Sequence, residues 1–292
     1  MDIFSFTTKT NIELDNPIDG NLGEIVIKEK YETAEIVILG CPPDVSTKQT
    51  GEKLQAPDKI RQEFYKFTDF GINRRIFDLG NLNPQPDLDS TFEVQNRIIS
   101  QAITDRKKII MLGGNLTYPN GKAMAQAFGE EWLATNVSSQ FSKPLQQLLQ
   151  DNSLKAEYFY EVGFQNHLNS KQDFFRLENL GVNLISFEQL RSQETVDVRP
   201  REMMREKFIH HTTTLSTMFS FDLHSVCAAD APGTNAPSPI GLRAGEFLKL
   251  VEFARSLVNT KVIEFTGIDL NSDIDSRTAQ LVAIALHRIC SN

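Results

Sequence analysis

The 292-residue sequence has few cysteines and no long apolar run. Cys41, Cys227 and Cys290 are too few and too far apart to predict a disulfide framework or a zinc cluster. No apolar segment approaches the ~20 residues that span a bilayer, and the first residues lack the basic and apolar regions of a signal peptide. We therefore expect a soluble, cytoplasmic protein without a membrane partner.

An excess of positive charge is also absent. The formal net charge is −8 at pH 7, which disfavours binding to nucleic acid or to anionic lipid surfaces. Basic residues cluster at 106–108 and 199–207, but each cluster is short and interleaved with acidic residues. We interpret both as solvated helix ends and expect no nucleic-acid partner.

Short apolar segments alternate with amphipathic ones from residue 35 onwards. The pattern predicts strands at 35–39, 75–79, 108–112, 132–137, 158–163, 182–187, 218–223 and 261–266. It predicts helices at 56–67, 90–104, 121–129, 171–180, 202–210, 244–257 and 275–290. This alternation is typical of an α/β protein, a three-layer α/β/α sandwich with a mainly parallel central sheet. Residues 1–33 are predicted to be irregular, and without an interior linker we expect one domain over residues 1–292.

The strand at 218–223 delivers two candidate site residues. Asp222 and His224 lie two positions apart, so their side chains share one face of the strand. A loop rich in Ala, Pro and Gly follows at 231–241. Ligands of open α/β sheets bind outside the carboxyl ends of the strands. We expect the pocket to be lined by four strand ends, at Gly113, Asn136, Asp222 and Gly267.

Four segments, in their order along the chain, resemble motifs of the ureohydrolase family, which includes arginase, agmatinase and formimidoylglutamase. They are residues 40–61, 77–81, 220–243 and 273–279. The Ala-Pro-Gly loop is most similar to the formimidoylglutamase branch. The resemblance implies an arginase-like fold whose active site holds two manganese ions.

The resemblance also implies which positions would hold the metal. Asp222 retains a family ligand, and His224 replaces the family's second aspartate on that strand. The other four ligand positions hold Leu116, with Asn115 beside it, and Asn136, Ser138 and Gln140. Leucine cannot coordinate a metal, and neutral amide and hydroxyl oxygens are weak ligands for Mn²⁺. We therefore expect no metal cofactor, with Asp222 and His224 as the only candidate ligands.

The family also uses a glutamate before its last helix to hold a guanidinium-type substrate. Counting back from Asp273 places this position at Gly267, whereas a shifted register would place it at Glu264. Both registers remain open. His224 could act as a general base with Asp222 or Asp230, or activate Cys227 as a nucleophile, but a hydrogen-bonded role in the pocket is preferred because no third orienting group is evident.

These substitutions predict a formimidoylglutamase-like protein that has lost its dimanganese centre and is catalytically inactive. Such a protein would act as a binding or interaction protein, with an unidentified ligand. The alternative is an active C–N hydrolase of a formimino or guanidino substrate. Because the family forms trimers or hexamers, we also expect a homo-oligomer or an association with an active relative.

Overall fold

The computed structural model describes residues 3–10, 12, 20–41, 55–114, 117–191 and 214–291. The helix expected at 202–210 lies outside these ranges. The described strands are β1 (Thr7–Thr8), β2 (Ile36–Gly40), β3 (Ile76–Leu82), β4 (Lys108–Leu112), β5 (Trp132–Val137), β6 (Phe159–Phe164), β7 (Asn183–Ser186), β8 (Ser216–Asp222) and β9 (Thr260–Thr266). The described helices are α1 (Leu22–Lys28), α2 (Ala56–Tyr65), α3 (Leu88–Thr104), α4 (Thr117–Phe128), α5 (Lys143–Gln150), α6 (Lys171–Leu180), α7 (Phe187–Arg191), α8 (Ala244–Ser256) and α9 (Arg277–Cys290).

The strands form one sheet in the order β1-β3-β2-β4-β9-β8-β5-β6-β7. Every neighbouring pair is parallel except β1 and β3 at one edge. β8 lies between β9 and β5, so Asp222 at its carboxyl end is central in the sheet. The mainly parallel α/β sheet predicted from the sequence is confirmed.

The sheet separates two hydrophobic cores. Ile110 and Leu112 of β4 belong to the core that includes α1, α2, α8 and α9. Ile109 and Met111, which point to the opposite face, belong to the core that includes α3, α4, α5 and α6. Burial on both faces explains why the strands are almost continuously apolar in the sequence. The helical layers on both sides confirm the three-layer arrangement.

The N-terminal prediction is partly wrong. Within the segment expected to be irregular, β1 pairs with β3 and residues Leu22–Lys28 form α1. Leu22 and Val26 lie one helical turn apart, and both are buried in the core. The helix α5 was also not predicted, although Ser142 caps its first turn and Pro144 occupies a favourable N-terminal position. Both elements are short, which weakens their periodic signal.

The last helix begins at Arg277 and not at residue 275. Asp275 and Ser276 have φ values of 55° and 57°, which are incompatible with a right-handed helix. The Asp273 carboxylate instead accepts hydrogen bonds from the backbone N–H groups of Thr278 and Ala279, at 2.9 and 3.1 Å.

No helix within the described ranges is both long and apolar enough to cross a bilayer. The single domain over residues 1–292 stays a prediction.

Candidate functional site

Asp222 is the centre of a hydrogen-bonded cluster at the carboxyl edge of the sheet. Its Oδ1 atom accepts from the backbone N–H of His224 at 3.1 Å and lies 2.6 Å from the ring nitrogen Nδ1 of the same residue. Its Oδ2 atom accepts from the Ser138 hydroxyl at 2.8 Å. Both carboxylate oxygens are therefore occupied by groups of the protein. We call Asp222, His224, Ser138 and Asn235 the Asp222 cluster.

His224 contacts an acceptor through each ring nitrogen. Nδ1 faces the Asp222 carboxylate, and Nε2 lies 2.6 Å from Oδ1 of Asn235. Two acceptors favour the doubly protonated ring, because each nitrogen must then donate. The hydrogen bond to Asp222 raises the pKa of His224 most strongly, and burial opposes it in part. In this arrangement neither nitrogen offers a lone pair to a metal or a substrate.

Gly267 lies directly against the Asp222 cluster. It has a φ of 81°, and a Cβ atom built there would lie 2.4 Å from Oδ1 of Asp222 and 2.7 Å from Nδ1 of His224. The position therefore has no room for a side chain, whatever the residue type. The sequence left two positions open for the family's glutamate, Gly267 and Glu264. Of these, Gly267 lies against the Asp222 cluster.

Glu264 occupies a separate, fully buried position on β9. It accepts hydrogen bonds from the Thr117 hydroxyl at 2.5 Å and from the Asn120 amide, both on α4. Burial raises the pKa of Glu264 to about 7, although these hydrogen bonds oppose the shift. Glu264 thus links α4 to the sheet through its hydrogen bonds.

Two of the remaining predicted positions adjoin the Asp222 cluster: the backbone N–H of Gln140 donates to the Ser138 hydroxyl at 3.2 Å, and Asn136 of β5 lies two residues before Ser138. Asn136 is buried and donates from Nδ2 to Glu161 Oε2 at 2.7 Å, while the Gln140 side chain is exposed. Burial raises the pKa of Glu161 to about 8. Asn115 and Leu116 lie outside the described residues. Gly113, also expected at this edge, follows β4 and has a φ of 77°.

The burial of two carboxyl groups was not anticipated: Glu161 was missed by the sequence analysis, and Glu264 was considered there only as a shifted register. Glu161 and Glu264 each interrupt an apolar strand, in Phe-Tyr-Glu-Val and Val-Ile-Glu-Phe. A charged residue in the middle of such a strand is rarely buried unless it is paired, so the pattern itself was the available signal. Both carboxyl groups are buried in the sheet and accept hydrogen bonds, Glu161 from Asn136 and Glu264 from Thr117 and Asn120.

The loop after Asp222 is fixed by its own contacts. The Gly233 N–H donates to the Thr278 hydroxyl at 2.7 Å, and Asp230 accepts from the backbone N–H of Ala244 at 2.9 Å. Cys227 is buried, 3.6 Å from Asp230 Oδ2. Because both His224 nitrogens contact Asp222 and Asn235, the structure does not form the Cys227–His224 nucleophile pair considered from the sequence.

The sheet order and the polar cluster at the carboxyl ends define a three-layer α/β/α protein with the arginase-like fold. The Arginase family model matches residues 34–291, and the chain belongs to this family.

Relatives with the formimidoylglutamase name are similar over most of the chain. The Staphylococcus carnosus formimidoylglutamase is 24% identical over 286 residues, which cover 91% of this chain and 88% of the relative. The crystal structure of Trypanosoma cruzi formiminoglutamase with Mn²⁺ at pH 8.5 matches with a TM-score of 0.79 and 20% identity, covering 92% of this chain and 96% of that one. The Bacillus subtilis formimidoylglutamase structure matches with a TM-score of 0.81 and 18% identity, covering 99% of this chain and 97% of that one. At these identities the structures establish the fold.

The expectation that the chain has no metal cofactor is wrong as an inference from its family. Family members named formiminoglutamase were crystallised with Mn²⁺, so the family uses manganese. The described residues nevertheless fit a manganese pair poorly, because no three His, Cys, Asp or Glu side chains converge within the described ranges. Asp222 and His224 are hydrogen-bonded to each other. A pair of divalent ions needs several converging carboxylates. We therefore derive no catalytic step through the metal.

Proposed function

We propose that this chain is a formimidoylglutamase-like protein that does not hydrolyse amidines by the family's chemistry and acts as a binding or interaction protein. The observation that carries the proposal is the hydrogen bonding of the Asp222 cluster. Each carboxylate oxygen and each ring nitrogen in it has a partner within the protein. Such a cluster holds the loop after β8 in place but presents no free base to a substrate.

Gly267 supports the same proposal from the side of the substrate. If this position corresponds to the family's substrate-holding glutamate, the chain lacks the carboxylate that would bind a guanidinium-type group. A residue larger than glycine does not fit at position 267 while Asp222 and His224 keep their positions. The absence of this carboxylate would weaken substrate binding even if a nucleophile were available.

The test is a turnover assay with manganese supplied. The purified chain is incubated with Mn²⁺ and either a formimino or a guanidino substrate, and release of formamide or urea is measured. The Staphylococcus carnosus relative serves as the positive control. We expect no product above the protein-free rate, and manganese-dependent turnover that Asp222→Asn abolishes would overturn the proposal.

A rebuilt variant tests the assignment of positions behind this proposal. It combines N115D, L116H, N136D, S138H and Q140D, which restore acidic and imidazole ligands at the positions implied by the resemblance. We expect it to take up more Mn²⁺ than the parent chain by elemental analysis. Uptake no greater than the parent's, in a variant whose circular dichroism shows it to be folded, would contradict the assignment.

The second candidate is an active C–N hydrolase of a formimino or guanidino substrate. Membership of the family, and relatives named formimidoylglutamase along most of the chain, favour this function. It predicts the opposite result in the same turnover assay. Product release that depends on Asp222 would support it.

A further inference from the structure

A basic cavity of about 500 Å³ opens at the amino-terminal edge of the sheet, where β4 and β9 begin. Its volume is within the range of small-molecule sites. One carboxylate, that of Glu35, lines it together with six basic residues. The basic residues are Arg74, Arg106, Lys107, Lys108, Arg255 and Lys261. Such a concentration of cations is unexpected in a chain with a net charge of −8.

Three of these cations have a structural partner. Arg74 forms an ion pair with Glu35, with a nitrogen–oxygen distance of 3.0 Å. Lys107 and Arg255 donate to the backbone carbonyl oxygens of Ala34 and Ser291 at 2.9 and 2.7 Å, the second at the carboxyl end of α9. The position of these three side chains is therefore explained without a ligand.

Lys108 and Lys261 are different. Each precedes one member of the paired residues Ile109 and Val262 on the neighbouring parallel strands β4 and β9. Their side chains consequently extend side by side on the same face of the sheet. Within the described residues neither ammonium group has a carboxylate as ion-pair partner. Like charges next to each other on one sheet face are destabilising, so the arrangement favours a counter-ion between them.

The surroundings of Lys108 also favour a bound counter-ion. Its burial and the nearby charges of Arg74, Arg255 and Lys261 lower the pKa of Lys108 to about 8. A bound anion would reverse this effect by stabilising the ammonium form. The cavity is thus an electropositive site in which the charge of its own walls is not neutralised.

We propose that the basic cavity binds a compact phosphate-bearing anion, with the Lys108 and Lys261 ammonium groups as its main contacts. Two adjacent ammonium groups require a ligand with more than one negative charge, and phosphate oxygens accept from both ammonium and guanidinium groups. The cavity is on the opposite edge of the sheet from the Asp222 cluster. The inference therefore does not depend on the proposed function.

The experiment is isothermal titration calorimetry of the full chain with inorganic pyrophosphate at constant ionic strength. We expect the parent chain to bind, and K108Q/K261Q to bind at least about tenfold more weakly because both main contacts are lost. K171Q removes an exposed lysine on α6 and should bind like the parent. Citrate is the comparison anion, and tighter binding of citrate than of pyrophosphate would overturn the phosphate assignment.

The thermal midpoint of the same proteins provides a second readout. Without ligand, K108Q/K261Q should unfold at the same temperature as the parent or above it, because the repulsion between the two ammonium groups is gone. Pyrophosphate should raise the midpoint of the parent and of K171Q, but not that of the double variant. No binding by the parent, or equal binding by the parent and the double variant, would overturn the proposal.

Discussion

Single residues at the carboxyl edge show what a sequence motif can and cannot predict. The pattern placed Asp222 and His224 on one strand, but β8 ends at Asp222 and His224 lies in the 3-10 turn that follows. The turn still brings both residues together with Ser138 and Gly267. The pattern could not indicate that Asn235, eleven residues later, would contact the second ring nitrogen of His224. That contact depends on the course of a loop whose conformation is set by distant partners such as Thr278.

A substitution at Gly267 tests the close packing of the cluster. Gly267→Ala places a methyl group against Asp222 and His224, so we expect the free energy of unfolding to fall by about 3 kcal/mol or more. Gly181→Ala is the matched control, because Gly181 has a similar φ of 88° and open space around its Cβ position. It should cost about 1 kcal/mol in urea unfolding. Equal losses would show that the cluster is not closely packed.

Whole elements were predicted better than their ends. Each predicted strand is present because buried parallel strands are apolar along their whole length. Three resembling segments also have clear structural roles. The buried guanidinium of Arg61 on α2 donates to both carboxylate oxygens of Asp78 on β3, at 2.7 and 3.0 Å. Asp273 binds the first turn of α9. These motif residues therefore have structural roles that do not depend on the chemistry of the site.

The burial of Glu264 between α4 and β9 predicts a dependence of stability on pH. Glu264 has a pKa of about 7 in the folded chain and an ordinary value of 4.5. Its raised pKa stabilises the fold below pH 4.5, and this contribution is lost as the pH rises towards 7. Linkage gives a loss of about 3 kcal/mol over this interval. Urea unfolding at several pH values should show this slope in the parent relative to Glu264→Gln. Parallel pH profiles would contradict the prediction.

At the scale of the molecule, the sheet was predictable but the surface was not. The order of apolar segments and the resembling motifs indicated an arginase-like sandwich, which the structure confirms. The basic residues at 106–108 were interpreted as a solvated helix end. They instead line a cavity with Arg74, Arg255 and Lys261, which come from distant parts of the sequence. Local patterns cannot reveal such a cluster because only the fold brings its members together.

The expected homo-oligomer remains a prediction, and α6 offers a place to test it. Phe174 packs near Phe164 with ring centroids 6.0 Å apart, whereas Phe175 is 47% exposed. We expect light scattering to give a trimer or hexamer of the 33.0 kDa chain and Phe175→Glu to shift it to lower mass. Phe70→Glu, at another exposed phenylalanine, should leave the mass unchanged. A monomeric parent at micromolar concentration would contradict the expectation.

The protonation of His224 tests the central claim most directly, because a doubly protonated ring between Asp222 and Asn235 cannot act as a base or a ligand. Nitrogen-15 NMR of the imidazole at pH 6.5 measures it, with His224→Gln used to assign the signals. We predict that both ring nitrogens carry a proton in most molecules, and that Asp222→Asn lowers the pKa of His224. A mainly neutral ring with one unprotonated nitrogen at this pH would contradict the account.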